Sequence, residues 1–277
     1  MENENTLEDN YLPVTSITSG IGQAILPDIF CLPIQIVNVC FVGTKDDWVL
    51  VDAGMPQSAD DIIEAAKEQF GENTRPNAII LTHAHFDHVG AIEKLIEIWD
   101  IPVYAHMKEI PYLTGKANYP EGDPTVSSGL VAKMSPMFPN HGINIGSHVH
   151  VLPEDHSVPY MEGWAWTHTP GHTPGHVSFF REDDGALIVG DAFVTVKQES
   201  LFKVMVQKQE ISGPPKYFTP DWVAAKQSVI KLEKLKPKIA VTGHGLPMSG
   251  EELTTALATL VRDFDDIALP KNSHFVN

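Results

Sequence analysis

The chain has 277 residues, of which 43% are hydrophobic and 20% charged, so it has ample material for a folded core and is not typical of a disordered protein. Its 36 acidic residues outnumber 19 Lys and Arg, and the resulting net charge of −17 argues against binding to a nucleic acid polymer. Two cysteines, Cys31 and Cys40, are too few for a secreted disulfide scaffold, and both are expected to be reduced and buried.

The N-terminal segment, residues 1–28, is predicted to be a poorly ordered acidic lead-in that becomes extended near Ile25. It has neither the basic start nor the apolar stretch of a signal peptide. No apolar stretch of the chain reaches the roughly 18 residues that a membrane helix needs. We therefore expect a cytoplasmic protein that does not bind membranes, with residues 29–277 forming one α/β domain.

The first part of that domain alternates apolar segments with amphipathic ones. The predicted elements are a strand pair at 29–42 and 48–51, a helix at 58–70, a strand at 78–81, a helix at 89–99 and a strand at 103–105. Ser58 is expected to cap the first helix and Gly71 to end it. This order of elements is typical of α/β proteins.

Residues 107–147 are predicted to be an irregular insert or lid, because they combine many Pro, Gly and Ser residues with apolar side chains. Further strands are predicted at 148–152, 162–168, 176–181, 186–190 and 238–242, with helices from 219 to 235 and after 249. Pro220 is expected in the first turn of its helix. Ser249 and Glu252 have the spacing of a capping box.

A histidine-rich turn, THAHFDHVG, follows the apolar strand at 78–81 directly. It contains His83, His85, Asp87 and His88, and imidazole nitrogens and carboxylate oxygens are common ligands of zinc. In an extended turn His83 and His85 project to one side, whereas Asp87 and His88 begin a helical turn. One loop could therefore serve two metal ions.

Three other predicted strands also end on a histidine or an aspartate. His172 lies in the segment TPGHTPGH, Asp191 follows the apolar residues 187–189, and His244 lies in GHG after the predicted strand at 238–242. Each motif is weak alone. Because sites in α/β proteins form where strand ends meet, the four strand ends together predict one shared metal site.

With these motifs and with Asp52 in VDAG, the sequence from about residue 30 to 265 resembles the metallo-β-lactamase superfamily. The resemblance implies an αββα sandwich, in which two mixed sheets are flanked by helices and a binuclear site lies at one edge. The implied ligands are His83, His85 and His172 for the first ion and Asp87, His88 and His244 for the second, with Asp191 bridging both. Asp52 is implied to support a ligand, and His176, four residues after His172, is a second candidate for such a role.

This ligand set predicts a metal-dependent hydrolase. Two zinc ions, or other divalent ions such as manganese or iron, would make hydroxide available near neutral pH. It would attack a small ester, lactone or thioester, and Asp87 could relay a proton to the leaving group. A phosphodiesterase acting on a small nucleotide and a mononuclear iron dioxygenase acting on a persulfide are the alternatives. Asp191 argues against a dedicated β-lactamase, because β-lactamases of this fold generally lack that bridging residue.

The sequence gives weaker evidence for the residues of the substrate pocket than for the metal ligands. Related lactonases usually carry a tyrosine three residues after the bridging aspartate, where this chain has Val194 preceded by Phe193. Tyr160 or Tyr217 is expected to replace it, so Phe193, Tyr160 and Tyr217 are the candidates for the substrate pocket. Lysines within 195–219 could hold an anionic group. The expected partner is a small-molecule substrate; a homodimer is a candidate assembly that the sequence does not decide.

Overall fold

A computed structural model describes residues 15–275; residues 1–14 of the predicted lead-in lie outside it. The strands are β1 (Gln23–Leu26), β2 (Ile29–Ile34), β3 (Val37–Thr44), β4 (Asp47–Val51), β5 (Ile79–Ile80), β6 (Val103–Ala105), β7 (Val149–Val151), β8 (Trp164–His168), β9 (Val177–Arg181), β10 (Ala186–Gly190), β11 (Val194–Val196), β12 (Gln209–Ser212), β13 (Ile239–Thr242) and β14 (Met248–Ser249). The helices are α1 (Ala59–Phe70), α2 (Phe86–Val89), α3 (Ile92–Trp99), α4 (Ile110–Leu113), α5 (Leu130–Met134), α6 (Leu201–Val206), α7 (Trp222–Lys234), α8 (Gly250–Arg262) and α9 (Phe264–Ile267).

The strands form two mixed sheets and one separate hairpin. The first sheet has seven strands in the order β1 to β7, antiparallel from β1 to β4 and parallel from β4 to β7. The second has the order β14-β13-β10-β9-β8, in which only β13 and β10 are parallel. Strands β11 and β12 pair with each other. In both sheets the parallel strands end at the edge that carries the candidate site.

Apolar side chains divide into three clusters that define four layers. Alternation along β3 shows the division, because Val39 and Phe41 pack beneath α1 and α3 while Cys40 and Val42 face the second sheet. A third cluster lies between the second sheet and helices α7 and α8. The order helix, sheet, sheet, helix confirms the predicted αββα sandwich. Cys31 and Cys40 are free and buried, as expected.

The N-terminal half of the first sheet has more strands than predicted. The apolar segment 29–42 is not one strand but the hairpin of β2 and β3, which turns at Gln35 with a φ of 56°. The sequence does not indicate this turn for two reasons. Both strands are apolar, and Gln35 is not one of the residues that are typical of turns. The extended segment near Ile25 is β1, which pairs with β2.

Helix caps also differ from their predictions. Helix α7 begins at Trp222 instead of Pro220, because the carboxylate of Asp221 accepts a hydrogen bond from the amide of Ala224 over 2.9 Å. Ser249 occupies the N-cap of α8 without a side-chain capping bond, so the predicted capping box is not formed. Ser58 likewise caps no amide, and its hydroxyl donates to the carbonyl of Met55 over 2.6 Å.

The segment 107–147 contains the short helices α4 and α5 and is packed against the body of the domain. Leu113 and Ala132 are fully buried, and Tyr119 is 5% exposed. These side chains extend the cluster that also holds α1 and α3. Between residues 15 and 275, no helix is both long and apolar enough to cross a membrane.

Candidate metal centre

The predicted site residues meet at the edge where strands of both sheets end. His83 and His85 follow β5, and Asp191 and His244 follow the parallel strands β10 and β13. His172 lies in the loop between β8 and β9. Backbone hydrogen bonds join the two sheets there: the amide of Val177 donates to the carbonyl of Thr82 over 2.9 Å. The seven side chains predicted to bind metal are therefore brought together.

The first group consists of His83, His85 and His172. Their ligand atoms all lie within 4.8 Å of one another, and Nδ1 of His85 is 2.9 Å from Nε2 of His172. All three side chains are buried. This spacing would let three imidazole nitrogens converge on one ion and leave room for a fourth ligand.

The second group consists of Asp87, His88 and His244, whose ligand atoms also lie within 4.8 Å of one another. Oδ2 of Asp87 is 3.3 Å from Nε2 of His244. Asp191 lies between the groups, since its Oδ2 is 3.4 Å from Nε2 of His172 and 3.2 Å from Nε2 of His244. A carboxylate in that position can reach an ion in either group.

Neighbouring acceptors fix which nitrogen of each imidazole faces the centre. Nδ1 of His88 donates to Oδ2 of Asp52 over 2.8 Å, and Nδ1 of His244 donates to the carbonyl of Ile36 over 2.7 Å. Nδ1 of His172 lies 3.2 Å from the hydroxyl of Thr219. With Nδ1 engaged, Nε2 of each ring is directed inward, where it can bind metal once it carries no proton.

His176 does not join either group. Its Nε2 accepts the backbone N–H of Asp191 over 2.8 Å, and its Nδ1 donates to Thr169 over 2.9 Å. It therefore holds the backbone of Asp191 in place. Gly243 has a related role, because a Cβ there would lie 2.1 Å from Oδ1 of Asp191 and 2.8 Å from Cε1 of His88.

Burial leaves the first group ready to bind a cation without losing protons. Desolvation and the neighbouring imidazoles hold the pKa values of His83 and His172 well below the usual range. Burial also lowers the pKa of His85 to about 4, although Asp87 opposes the shift. All three rings are therefore neutral at pH 7.

The second group has the opposite electrostatics. Burial alone would lower the pKa of His88, but the charges of Asp52 and Asp87 outweigh it and raise that pKa to about 9. Burial is likewise outweighed at His244, where Asp191 raises the pKa. Burial would also raise the pKa of Asp87, yet the charge of His88 lowers it overall. Without metal this group is a network of imidazolium and carboxylate ions.

The donor set and its unpaired atoms fit divalent metal. Nε2 of His83, Nε2 of His88 and Oδ1 of Asp191 are buried and have no hydrogen-bond partner among residues 15–275. Buried polar atoms without partners are costly, so native proteins rarely keep them without a function. Nitrogen and oxygen ligands of this kind suit zinc and iron alike.

Glu109 is a site residue that the sequence did not reveal. Its fully buried carboxylate accepts hydrogen bonds from the amides of Ala84 and Gly175, over 3.0 and 2.7 Å, and from the hydroxyls of Thr173 and Tyr119. It thereby ties the histidine-rich turn to the loop that carries His172. No sequence motif marks it, because it lies in the irregular segment 107–147.

Two cavities flank the centre. The Asp87 cavity has Asp87, Gln198 and Tyr217 as polar wall residues and is otherwise lined by apolar side chains such as Met55 and Phe138. The walls of the His85 cavity include His85, His172, Tyr112, Tyr119, Phe218 and Phe275. Segment 107–147 contributes to both cavities.

Of the three predicted pocket residues, only Tyr217 lines a cavity at the centre. Phe193 is fully buried in the cluster beneath α7 and α8, because the chain turns inward after Asp191. Tyr160 is 53% exposed and packs against Tyr104. Both pocket predictions are therefore corrected.

The alternative in which lysines of 195–219 hold an anionic group at the centre is not supported. Lys203 pairs with Glu210, and the ammonium of Lys216 donates to the carbonyl of Ile267 over 3.3 Å. Neither the Asp87 cavity nor the His85 cavity has a Lys or Arg in its wall.

Comparison with known proteins identifies the family of the chain. The family model of the metallo-β-lactamase superfamily matches residues 32–244, so the chain belongs to that superfamily. It is 51% identical over 264 residues to the probable metallo-hydrolase YflN of Bacillus subtilis, an alignment that covers 94% of this chain and all of that protein.

Solved structures share the fold. TTHA1623, solved in a di-iron-bound form, aligns with a TM-score of 0.55 and 26% identity over 87% of this chain and 97% of its own. The B3 metallo-β-lactamase BLEG-1 aligns with a TM-score of 0.55 and 27% identity over 78% of this chain and 90% of its own.

Proposed function

We propose that this chain is a hydrolase with a binuclear zinc centre that cleaves a small ester, lactone or thioester with an apolar portion. The observation that carries the proposal is the pair of adjacent three-residue groups with Asp191 in reach of both. The similarity to a probable metallo-hydrolase over nearly the whole chain supports it. Iron is the alternative metal, since a relative was solved in a di-iron-bound form.

In the proposed centre His83, His85 and His172 would hold one ion and Asp87, His88 and His244 the other, with Asp191 in reach of both. Such ions lower the pKa of bound water toward about 7 and stabilise negative charge on the substrate. Asp52, Ile36 and Thr219 orient the imidazoles through their Nδ1 atoms.

Asp87 is proposed to move a proton as well as to bind metal. Its carboxylate is only 7% exposed, lines the Asp87 cavity and lies 3.3 Å from Nε2 of His244. Its pKa lies below the usual range, so it is ionised at neutral pH. As a carboxylate it could take the proton of the attacking water and pass it to the leaving group.

The walls of the cavities favour an acyl substrate over a phosphodiester. Aromatic and aliphatic side chains dominate both cavities, and neither has a cation to hold a phosphate. The net charge of −17 further opposes a nucleic acid polymer. A small neutral molecule with an apolar group is the substrate class that fits both features.

A substrate panel tests the proposal. Purified protein loaded with zinc would be assayed on p-nitrophenyl esters, an acyl lactone, an acyl thioester, bis-p-nitrophenyl phosphate and the β-lactam nitrocefin. We expect the acyl substrates to be cleaved with the highest kcat/KM, and Asp87→Asn to lower that value by about 10²-fold or more. Glu182→Gln is a matched control at an exposed carboxylate. Preference for the phosphodiester or the β-lactam would contradict the proposal.

A further inference from the structure

The wall of the Asp87 cavity contains a buried amide side chain that the proposed chemistry does not use. Gln198 is 1% exposed and lies in the wall of this cavity between β11 and α6. Neither its Oε1 nor its Nε2 has a hydrogen-bond partner among the described residues.

A buried amide without partners is unfavourable, because its hydrogen bonds to water are lost on folding and are not replaced. Methionine or leucine would fill the same space without that cost. The rest of this wall is largely apolar, so Gln198 does not belong to a polar network of the fold. Its presence is explained if its partner is a bound molecule.

The chemistry of the amide defines that partner. A glutamine side chain offers one carbonyl acceptor and two N–H donors, and its natural complement is a group that has a carbonyl and an N–H side by side. The hydroxyl of Tyr217, in the same wall, can donate to a second acceptor on the bound molecule. Around these groups, Met55, Val131 and Phe138 provide an apolar surface.

We propose that the Asp87 cavity binds a part of the substrate that carries an amide on an apolar body, and that Gln198 recognises this amide. The inference rests on the proposed function, because it places the scissile bond at the metal centre beside Asp87. It assigns Gln198 a role in specificity and not in bond cleavage.

Matched ligands make the inference testable. The p-nitrophenyl esters of N-acetyl-β-alanine and N-acetyl-γ-aminobutyric acid would be compared with p-nitrophenyl hexanoate and heptanoate, which have the same chain lengths but lack the amide. We expect the amide esters to have a higher kcat/KM than their alkyl counterparts. Gln198→Met should lower this amide-to-alkyl ratio about tenfold or more.

A second glutamine provides the control. Gln207 is also buried, but its Nε2 donates to the carbonyl of Val204 over 2.8 Å. Gln207→Met should lower the Tm and leave the amide-to-alkyl ratio unchanged, whereas Gln198→Met should keep or raise the Tm because it removes an unpaired amide. If the ratio is the same in the parent protein and Gln198→Met, or if Gln198→Met lowers the Tm as Gln207→Met does, the inference is overturned.

Binding of the free acids separates this inference from the proposed function. Calorimetric titration of the zinc-loaded protein with N-acetyl-γ-aminobutyrate and with heptanoate needs no hydrolysis. Tighter binding of the amide acid, lost in Gln198→Met, would support the inference even if no ester were cleaved. Equal binding of the two acids would overturn the inference, even if ester hydrolysis confirmed the proposed function.

Discussion

Oδ2 of Asp52 accepts a hydrogen bond over 2.8 Å from Nδ1 of His88, and the same carboxylate accepts the backbone N–H and the hydroxyl of Thr82. Asp52 lies just after β4, and His88 lies in α2 beyond the end of β5. One carboxylate therefore fixes the tautomer of a candidate metal ligand and the start of the histidine-rich turn.

Replacing this carboxylate should weaken metal binding in the second group. Asp52→Asn preserves the shape of the side chain, and asparagine tolerates the φ of 61° found at this position. Loss of the charged acceptor should lower zinc affinity about 10–100-fold, as is usual when the partner of a metal-bound histidine is removed. Competition with a chromophoric chelator measures this affinity, and an unchanged value for Asp52→Asn would contradict the assignment.

Glu109 should support the first group and overall stability. In Glu109→Gln an amide N–H₂ would face groups that are themselves donors, so we expect the free energy of unfolding to fall by about 1–3 kcal/mol. Zinc affinity should fall too, because the turn of Ala84 and the loop of Gly175 lose their common acceptor. Chemical denaturation of metal-free protein measures the first effect. Glu182→Gln, at an exposed residue, should change neither property.

The stability of the metal-free protein should pass through a maximum near pH 6.5. The folded-state pKa of His85 is about 4, below its ordinary value of 6.5, so its contribution is lost as pH falls from about 6.5 through 4. The folded-state pKa of His88 is about 9, above its ordinary value of 6.5. Its contribution to the free energy of unfolding is therefore fully present below pH 6.5 and is lost as the pH rises through 9. Denaturant midpoints across this range provide the measurement.

In zinc-loaded protein the loss of stability between about pH 6.5 and 9 should disappear, because a metal-bound imidazole no longer takes up or releases a proton. Stability of the metal-free protein that keeps rising between pH 7 and 9 would contradict the charge state assigned to His88 and His244.

The two groups should also differ in proton release. At pH 7 the imidazoles of the first group are neutral, whereas His88 and His244 carry protons that zinc must displace. Calorimetric titration in buffers of different ionisation enthalpy counts these protons. The variant His244→Ala keeps the first group, so zinc binding to it should release almost no protons. Zinc binding to His172→Ala, which keeps the second group, should release more protons. Equal release from both variants would show that the second group is not charged.

The cluster of candidate ligands was predictable because its signal is local and chemical. His83, His85, Asp87 and His88 lie within one short turn, and Asp191 and His244 each follow an apolar strand. Strand ends converge in this class of fold, so sequence order was enough to bring these residues together. The buried stripe Ile92, Leu95, Ile96 and Trp99 of α3 was predictable for a similar reason, since helical spacing marks it.

Features that depend on long-range contacts were not predictable. Glu109 and Gln198 are both buried, and they differ in that Glu109 has several hydrogen-bond partners whereas Gln198 has none among residues 15–275. Neither burial nor hydrogen bonding at these positions can be seen in the sequence. Phe193 was misassigned because proximity in sequence to Asp191 does not determine the direction of a side chain. Strands β11 and β12 are short and pair only with each other, so no periodic pattern marks them.

The most direct test of the account is elemental analysis combined with activity during stepwise addition of zinc to metal-free protein. We expect two zinc ions per chain and acyl hydrolysis that rises with metal and disappears on chelation. Less than about one metal ion per chain, or full hydrolysis after complete removal of metal, would contradict the assignment of a binuclear hydrolytic centre.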